Sequence, residues 1–260
     1  MAVVLWHIEL SHYNEKARWA LDCKGIPHER RVPIPGFGHG VRAAVLTRGA
    51  QRRLPVLELD GRRVGDSTAI IAALEEYRPE PALYPDDPAE RALALALEDR
   101  FDEELGPAVR RLVWFHTLPD ADATAAALFT TPNPRRERLL RATIPVARRV
   151  VSADYGINAT SAASARETIV AAMDDIEARL GPSGYLVGGR FSVADLAGAA
   201  LFTPLLAPPE RPYAPARIAP SLLPLREELK ARPGGRWVAE MYARHRGTWQ
   251  RPEVTGSAAV

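Results

Sequence analysis

The stretch Val56-Leu-Glu-Leu-Asp-Gly-Arg-Arg-Val64 decides the fold of the N-terminal part of the chain. Two short strand-like runs, Val56–Leu59 and Arg62–Val64, flank the dipeptide Asp60-Gly61. A two-residue type I′ turn needs positive φ at both central residues, and Asp-Gly is among the pairs that adopt this conformation readily. The stretch therefore predicts an antiparallel β-hairpin.

Upstream of the hairpin, strand and helix patterns alternate. Four segments carry them in chain order: strand Val3–Ile8, helix Tyr13–Lys24, strand His28–Val32 and short helix Val41–Leu46. A further helix begins at Asp66-Ser67, directly after the hairpin, and continues to Tyr77. The order β-α-β-α-β-β-α predicts a small α/β domain with a mixed sheet over residues 1–80.

The glycine-rich stretch Pro35-Gly-Phe-Gly-His-Gly40 lies inside this region. Its glycines occupy positions 36, 38 and 40, which is not the G-x-G-x-x-G spacing of a dinucleotide-binding turn. We expect a flexible loop here.

Downstream of the hairpin domain the pattern changes to helix. Residues 78–88 contain four prolines, which remove backbone donors and oppose helix, so residues 81–88 are predicted to be a linker. The helical segments that follow are Ala89–Thr117 (interrupted near Gly106-Pro107), Arg135–Val151, Ala163–Leu180, Ser192–Leu206, 221–231 and 235–245. We therefore predict that residues 89–248 form an all-α helical bundle domain and that residues 249–260 form a flexible tail.

The composition excludes several classes of protein. The 260 residues carry 34 basic and 32 acidic side chains, so the net charge of +2 gives no reason to expect nucleic acid or an acidic membrane as a partner. The single cysteine cannot form an internal disulfide or a cysteine-built metal site, and no metal site is expected. No signal peptide or spanning run is recognisable, which predicts a cytoplasmic protein.

The segment Ser11-His-Tyr-Asn-Glu-Lys-Ala-Arg18 is the most informative for function. On its own it is read most simply as a helix start at which Ser11 or Asn14 caps free backbone N–H groups. Two other segments change this interpretation: Leu54-Pro55 before the hairpin, and Gly65-Asp-Ser-Thr-Ala-Ile70 after it.

In this order and spacing, the three segments resemble the glutathione transferase family. A fourth segment, Tyr185-Leu-Val-Gly-Gly-Arg-Phe-Ser-Val-Ala-Asp-Leu196, resembles the family's signature before a buried helix in its C-terminal domain. We assign this fourth segment no catalytic role, because Ser192 and Asp195 are spaced as a capping box. The resemblance implies a thioredoxin-like N-terminal domain and a helical C-terminal domain, of a bacterial-like, serine-type member.

The resemblance also implies a role for each matching residue. Ser11 would donate a hydrogen bond to the glutathione thiolate, with Asn14 as a second donor. If Pro55 is cis, Leu54 would present its backbone to the cysteinyl unit of glutathione. Asp66 would bind the γ-glutamyl ammonium group and Ser67 its carboxylate.

The second substrate is expected between the two domains. His12, Trp114 and Phe115 are candidates to line its pocket, although the two helical aromatics are equally typical of core packing. By resemblance, glutathione is the co-substrate, the partner is a small and mostly apolar electrophile, the role is detoxification and the assembly is a homodimer.

Departures from related thiol proteins narrow the chemistry. Ser11 and Asn14 stand where thioredoxin-like redox proteins have the two cysteines of C-x-x-C, so dithiol–disulfide exchange is excluded. Cys23 is predicted to be a packed residue and not a nucleophile. Conjugation, dehalogenation, isomerisation and peroxide reduction stay open, as do a non-catalytic ligand- or partner-binding protein and the use of another low-molecular-weight thiol.

Overall fold

The N-terminal domain is built on a four-stranded mixed sheet. The structure is a computed structural model, and it describes residues 3–33, 37–128, 144–146 and 148–247. The strands are β1 (Val3–Trp6), β2 (His28–Arg31), β3 (Val56–Leu59) and β4 (Arg62–Gly65). In the order β2-β1-β3-β4, only β1 and β2 are parallel. The predicted Asp60-Gly61 hairpin is present, with φ of 47° and 81° at its two turn residues.

Both faces of the sheet are covered, because the two central strands, β1 and β3, carry apolar side chains on both sides. Helices α1 (His12–Cys23) and α3 (Ser67–Tyr77) share the core that contains Val3 and Leu5. Val4 and Trp6, which point to the opposite face, pack with residues of helix α2 (Phe37–Leu46).

Helix α2 corrects one prediction of the sequence analysis. The predicted loop over residues 35–40 is helical from Phe37 onward, although glycine is a poor helix former. Ala43 and Leu46 on the same helix are buried against Val4 and Trp6. This burial of apolar surface outweighs the local propensity of the glycines.

The C-terminal domain consists of helices and connecting loops, with no strand, in the residues that the structure describes. Its helices are α4 (Pro88–Arg100), α5 (Gly106–Thr117), α6 (Ala121–Leu128), α7 (Ala159–Arg179), α8 (Val193–Leu201), α9 (Thr203–Leu206), α10 (Leu223–Ala231) and α11 (Pro233–Met241). Residues 129–143 lie outside the described ranges, and with them most of the predicted helix 135–151. The predicted tail 249–260 also lies outside them.

The interruption predicted near Gly106-Pro107 is a π-helical turn over Phe101–Leu105, which joins α4 to α5. The N–H of Gly106 donates to the carbonyl of Phe101, five residues back. Pro107 has no N–H to continue the ladder, so one turn widens and the helix proceeds.

Helix α1 is buried on nearly every side, because it lies between the sheet and the helical domain. It nevertheless carries Glu15, Lys16 and Arg18, each with a fully buried side chain. Buried charges persist only when they are paired and hydrogen-bonded. Their partners connect α1 to the rest of the molecule and determine the architecture of the candidate site.

Candidate functional site

Ser11 stands directly before α1 and leaves its hydroxyl uncommitted to the helix. It is the N-cap residue, with extended backbone angles (φ −73°, ψ 130°), but its side chain accepts no hydrogen bond from the helix backbone. Instead its Oγ accepts a 2.7 Å bond from Nδ2 of Asn14. Since this bond uses a lone pair, the hydroxyl proton is free to be donated to a ligand, and Ser11 is half-exposed.

Asn14 joins three segments at this point. Its Oδ1 accepts from the N–H of Ile8 at 3.0 Å, and its Nδ2 donates to Ser11 Oγ and to the Leu54 carbonyl, the latter at 3.2 Å. The side chain is fully buried, so each bond forms without competition from water. Asn14 thereby fixes the position of the Ser11 hydroxyl relative to the Leu54-Pro55 segment.

The remaining predicted residues are brought to the same place. The Leu54–Pro55 peptide bond is cis, which is the condition that the sequence analysis set for the role of Leu54. The N–H of Asp66 donates to the Pro55 carbonyl at 3.3 Å, which links this turn to the start of α3. Segments separated by up to 55 positions along the chain therefore meet around Ser11.

Two side chains at the start of α3, those of Asp66 and Ser67, differ in exposure and in hydrogen bonding. Asp66 is exposed and caps the helix, since its Oδ1 accepts from the N–H groups of Thr68 and Ala69 at 2.9 and 3.3 Å. Ser67 is 1% exposed, and its Oγ has no hydrogen-bond partner among the described residues. A buried hydroxyl at a helix N-terminus, where the helix dipole favours negative charge, is suited to bind an anion such as a carboxylate.

The loop that carries Ser11 is held from behind by two buried guanidinium groups. Arg18 donates to the carbonyls of Ile8, Glu9 and Ser11 at 3.2, 3.0 and 3.4 Å. Arg211, from the helical domain, donates to the Leu10 carbonyl at 2.6 Å. All four carbonyls of the loop therefore face positive charge, which rigidifies the loop and raises the local potential.

Acidic partners balance part of this charge. Burial alone would raise the pKa of Glu15, but the guanidinium groups of Arg246 and Arg18 hold it below its ordinary value. Arg246 contacts Glu15 at 2.7 Å and Arg18 contacts it at 2.8 Å. Burial lowers the pKa of Arg211 to about 10, so this side chain stays charged at neutral pH.

The sequence analysis did not identify Arg18 or Arg211 as part of the site. Arg18 was noted only as a member of the motif, with no function. Arg211 lies 201 positions from Leu10, and no local pattern marks such a contact. A signal existed only for Arg18, a charged residue three positions before the apolar Leu21 and so next to it on the helix surface.

His12 and Tyr13 attach the start of α1 to the helical domain. Nε2 of His12 lies 3.0 Å from the Gly106 carbonyl, so this nitrogen carries the proton. Burial and the positive charge of Arg110 lower the pKa of His12 to about 3. His12 is thus neutral at physiological pH and holds its only observed bond with a backbone oxygen.

Tyr13 satisfies a carbonyl that the π-helical turn leaves free. The N–H of Gly106 donates to Phe101 and Pro107 has no N–H, so the Asp102 carbonyl lacks a helical donor. The Tyr13 hydroxyl donates to it at 2.6 Å. A Cβ atom at position 106 would lie 2.2 Å from the same hydroxyl oxygen, so glycine is required for this approach.

Lys16 adds a buried ionic contact between the domains. Its Nζ lies 2.7 Å from Glu98 and 2.9 Å from the Thr68 hydroxyl, and it also bonds Asp102. Helices α1, α3 and α4 and the π-helical turn meet at this ammonium group. Three rotatable N–H donors on a compact head suit such a convergent site.

Trp114 and Phe115 lie on α5, beyond the Gly106 carbonyl that His12 bonds. They stand eight and nine positions beyond Gly106, about 12 Å along α5 at 1.5 Å per residue. Both are half-buried, and Phe115 packs against the main core. Their part in a second-substrate pocket stays a prediction.

Cys23 has the character of a packed residue. Burial raises the pKa of its thiol to about 12. Its Sγ lies 3.9 Å from the His245 carbonyl. Within the described ranges, no group of three or more His, Cys, Asp or Glu side chains is arranged to hold a metal ion, and none of the described helices is long and apolar enough to cross a membrane.

Two family profiles match the chain. The profile described as glutathione S-transferase, N-terminal domain, matches residues 5–82, and the one described as glutathione S-transferase, C-terminal domain, matches residues 88–206. Among curated proteins, maleylacetoacetate isomerase of Rattus norvegicus is 35% identical over 107 residues, which are 40% of this chain. The matching region spans 49% of that relative, about half its length.

Solved structures match over most of the chain. A glutathione S-transferase from Methylobacterium radiotolerans, in complex with glutathione sulfonate, is 25% identical with a TM-score of 0.57, over 100% of both chains. A beta-etherase from Sphingobium is 22% identical with a TM-score of 0.58, over 92% of this chain and 99% of its own. A theta class glutathione S-transferase from Xanthomonas axonopodis, with glutathione bound, is 22% identical with a TM-score of 0.55, over 94% of this chain and 96% of its own.

Proposed function

The chain belongs to the glutathione S-transferase family, and we propose that it is an enzyme that binds glutathione as a thiolate and directs the sulfur at a small electrophile. The observation that carries this proposal is the state of Ser11. Its hydroxyl accepts from Asn14, keeps its proton free and stands at the start of a buried helix.

The energetic requirement is modest. A thiol with a pKa of about 8.5 is only a few per cent ionised at pH 7. Lowering the pKa by about two units requires about 2.7 kcal/mol of preferential stabilisation of the thiolate. One hydrogen bond to a charged group contributes about 1.5–3 kcal/mol, so the Ser11 hydroxyl can supply much of it.

Other groups of the site add to this effect. The N–H groups at the start of α1 and the buried guanidiniums of Arg18 and Arg211 favour negative charge near Ser11. We assign Asp66 to the α-ammonium group of the γ-glutamyl unit of glutathione, Ser67 to the α-carboxylate of that unit and the Leu54 backbone to the cysteinyl unit. Asn14 is a positioning residue for Ser11 in this proposal.

The proposed reaction is either conjugation or isomerisation. Two of the relatives of this chain are maleylacetoacetate isomerases, which keeps isomerisation among the candidate reactions beside conjugation. In either case the sulfur comes with the substrate, because the described site contains Ser11 and Asn14 and has no thiol of its own. We further propose a cytoplasmic homodimer with a role in detoxification.

A thiol panel tests the proposal. In a thermal-shift assay, glutathione at 100 times its dissociation constant stabilises a protein by about 2.7 kcal/mol. We expect this shift with glutathione and a smaller one with other low-molecular-weight thiols. No shift at millimolar glutathione would contradict the assignment of the thiol.

Turnover separates an enzyme from a binding protein on the same fold. We expect conjugation of a chloronitroaromatic compound by the wild type and a loss of about 100-fold in kcat/KM for Ser11→Ala, close to the loss of one oxyanion donor. The kcat/KM of Asn14→Ala should lie between those of the wild type and Ser11→Ala. If the protein binds glutathione and the Ser11→Ala variant is as active as the wild type, the role proposed for Ser11 is refuted.

A further inference from the structure

Two arginines beside the site have no acidic partner among the described residues. The guanidinium carbon of Arg110, on α5, lies 4.5 Å from the ring centre of Tyr155, and that of Arg53 lies 5.9 Å from the same centre. Arg110 also lies 5.8 Å from the ring centre of Tyr13. Arg110 is half-buried between two tyrosine rings, and Arg53 is exposed.

These arginines border the Ser11 site from two sides. Arg53 directly precedes the Leu54–Pro55 turn, and Tyr13 is two residues beyond Ser11. Arg110 is near the start of α1, since after burial its charge is the main cause that lowers the pKa of His12, and it opposes the rise that burial causes in the pKa of Tyr13.

Asp102 and Asp66, the two carboxylates whose charges act on Tyr13, already have other partners. Asp102 is bonded by Lys16 and by the Thr68 hydroxyl. Asp66 caps α3 and is assigned to the ammonium group of glutathione in the proposed function. Several arginines elsewhere are paired: Arg30, for example, forms an ion pair with Asp22 at 2.7 Å.

A guanidinium stacked on an aromatic ring keeps its N–H edge free to bind a carboxylate through two parallel hydrogen bonds. We propose that Arg110 and Arg53 form a carboxylate-binding site for the second substrate, so that the preferred electrophile is an anion. Arg110 belongs to the helical domain, whereas the groups assigned to glutathione belong to the sheet domain. The inference rests on the proposed function and replaces the expectation of a mostly apolar electrophile.

A matched pair of electrophiles tests this proposal: 4-chloro-3-nitrobenzoate and its uncharged counterpart 4-chloro-3-nitrobenzamide. The measured quantity is the ratio of kcat/KM for the benzoate to kcat/KM for the benzamide. We expect a ratio well above one in the wild type and a roughly 10- to 100-fold lower ratio in Arg110→Gln, as for loss of a charged hydrogen bond. Arg53→Gln should lower it less, because that side chain is exposed. The matched control is Arg62→Gln, an exposed arginine on β4, which should keep the ratio of the wild type.

The alternative source of a carboxylate is the glycine of glutathione itself. If Arg110→Gln raised the KM for glutathione equally with both electrophiles, and glutathione glycyl ethyl ester abolished that difference, the proposal would be overturned. An unchanged benzoate-to-benzamide ratio in Arg110→Gln would overturn it as well, with the proposed function intact. Absence of glutathione-dependent turnover of either compound by the wild type would instead overturn both proposals.

Discussion

Helices α1 and α8 both begin behind a serine, and the two serines use their hydroxyl groups differently. Ser192 is 1% exposed, and both its N–H and its hydroxyl donate to Asp195 Oδ2 at 2.9 Å. Ser11 is half-exposed, and its hydroxyl has no bond with the backbone of its own helix. The start of α8 is closed by its own capping residues, whereas the start of α1 is left open.

The open start needs anchors from elsewhere in the molecule. His12 and Tyr13 bond carbonyls of the helical domain, and Arg18 and Arg211 bond the carbonyls of the loop before α1. Because the Ser11 hydroxyl is kept free for a ligand, the start of α1 is held instead by contacts with residues distant in sequence. Local capping at α8 is a matter of stability alone.

The largest expected change in stability comes from Asp195→Ala, which removes the carboxylate that caps the start of α8. The carboxylate accepts bonds from the Leu186 N–H at 2.8 Å and from the N–H and hydroxyl of Ser192, all in a buried setting. Each buried donor left without a partner costs about 1–3 kcal/mol, so we expect a loss of about 3–5 kcal/mol in the free energy of unfolding, measured by urea titration. Glutathione affinity of the folded fraction should be unchanged. A loss below about 1 kcal/mol would show that the cap is dispensable.

A smaller effect is expected from Gly106→Ala, which acts on an external anchor of α1. The new methyl group would displace the Tyr13 hydroxyl and leave the Asp102 carbonyl without its donor. We expect a loss of about 1–3 kcal/mol in the free energy of unfolding together with weaker glutathione binding. The matched control is Gly181→Ala, because no atom lies within 4 Å of a Cβ there. Equal stability of the two variants would contradict the role of the Tyr13 contact.

The pH dependence of stability sharpens the comparison further, through His12. Its pKa is about 3 in the folded protein and about 6.5 when unfolded, so only the unfolded chain binds a proton between these values. Stability is therefore lost as the pH falls below about 6.5. For His12→Gln, the drop in unfolding free energy between pH 7 and pH 5 should be smaller than in the wild type by about 1.5–2 kcal/mol. Identical drops would mean that His12 is accessible to protons in the folded state.

The features that could be predicted correctly from the sequence are those that depend on residues close together along the chain. The Asp60-Gly61 hairpin and the Ser192–Asp195 capping box each depend on residues within a few positions of one another. The segments around Ser11, Pro55 and Asp66 could be placed together because their spacing resembles a known family.

The features that were missed depend on contacts between distant segments. Helix α2 forms through packing of Ala43 and Leu46 on the sheet, against the propensity of its glycines. The interruption near Gly106-Pro107 was predicted, but neither its π-helical form nor the bond from Arg211 to Leu10 follows from any periodicity. Pairing of the buried charges on α1 likewise required the three-dimensional arrangement.

The most direct test of the account is the thiol pKa of bound glutathione, measured from thiolate ultraviolet absorbance against pH in Ser11→Ala and Ser192→Ala. For Ser11→Ala we expect a pKa at least about one unit above that of the wild type, with the unfolding free energy changed by less than about 1 kcal/mol. For Ser192→Ala we expect an unchanged thiol pKa and a loss of about 1–2 kcal/mol in stability. A thiol pKa that is the same in Ser11→Ala and the wild type would contradict the central claim that the open serine holds the thiolate.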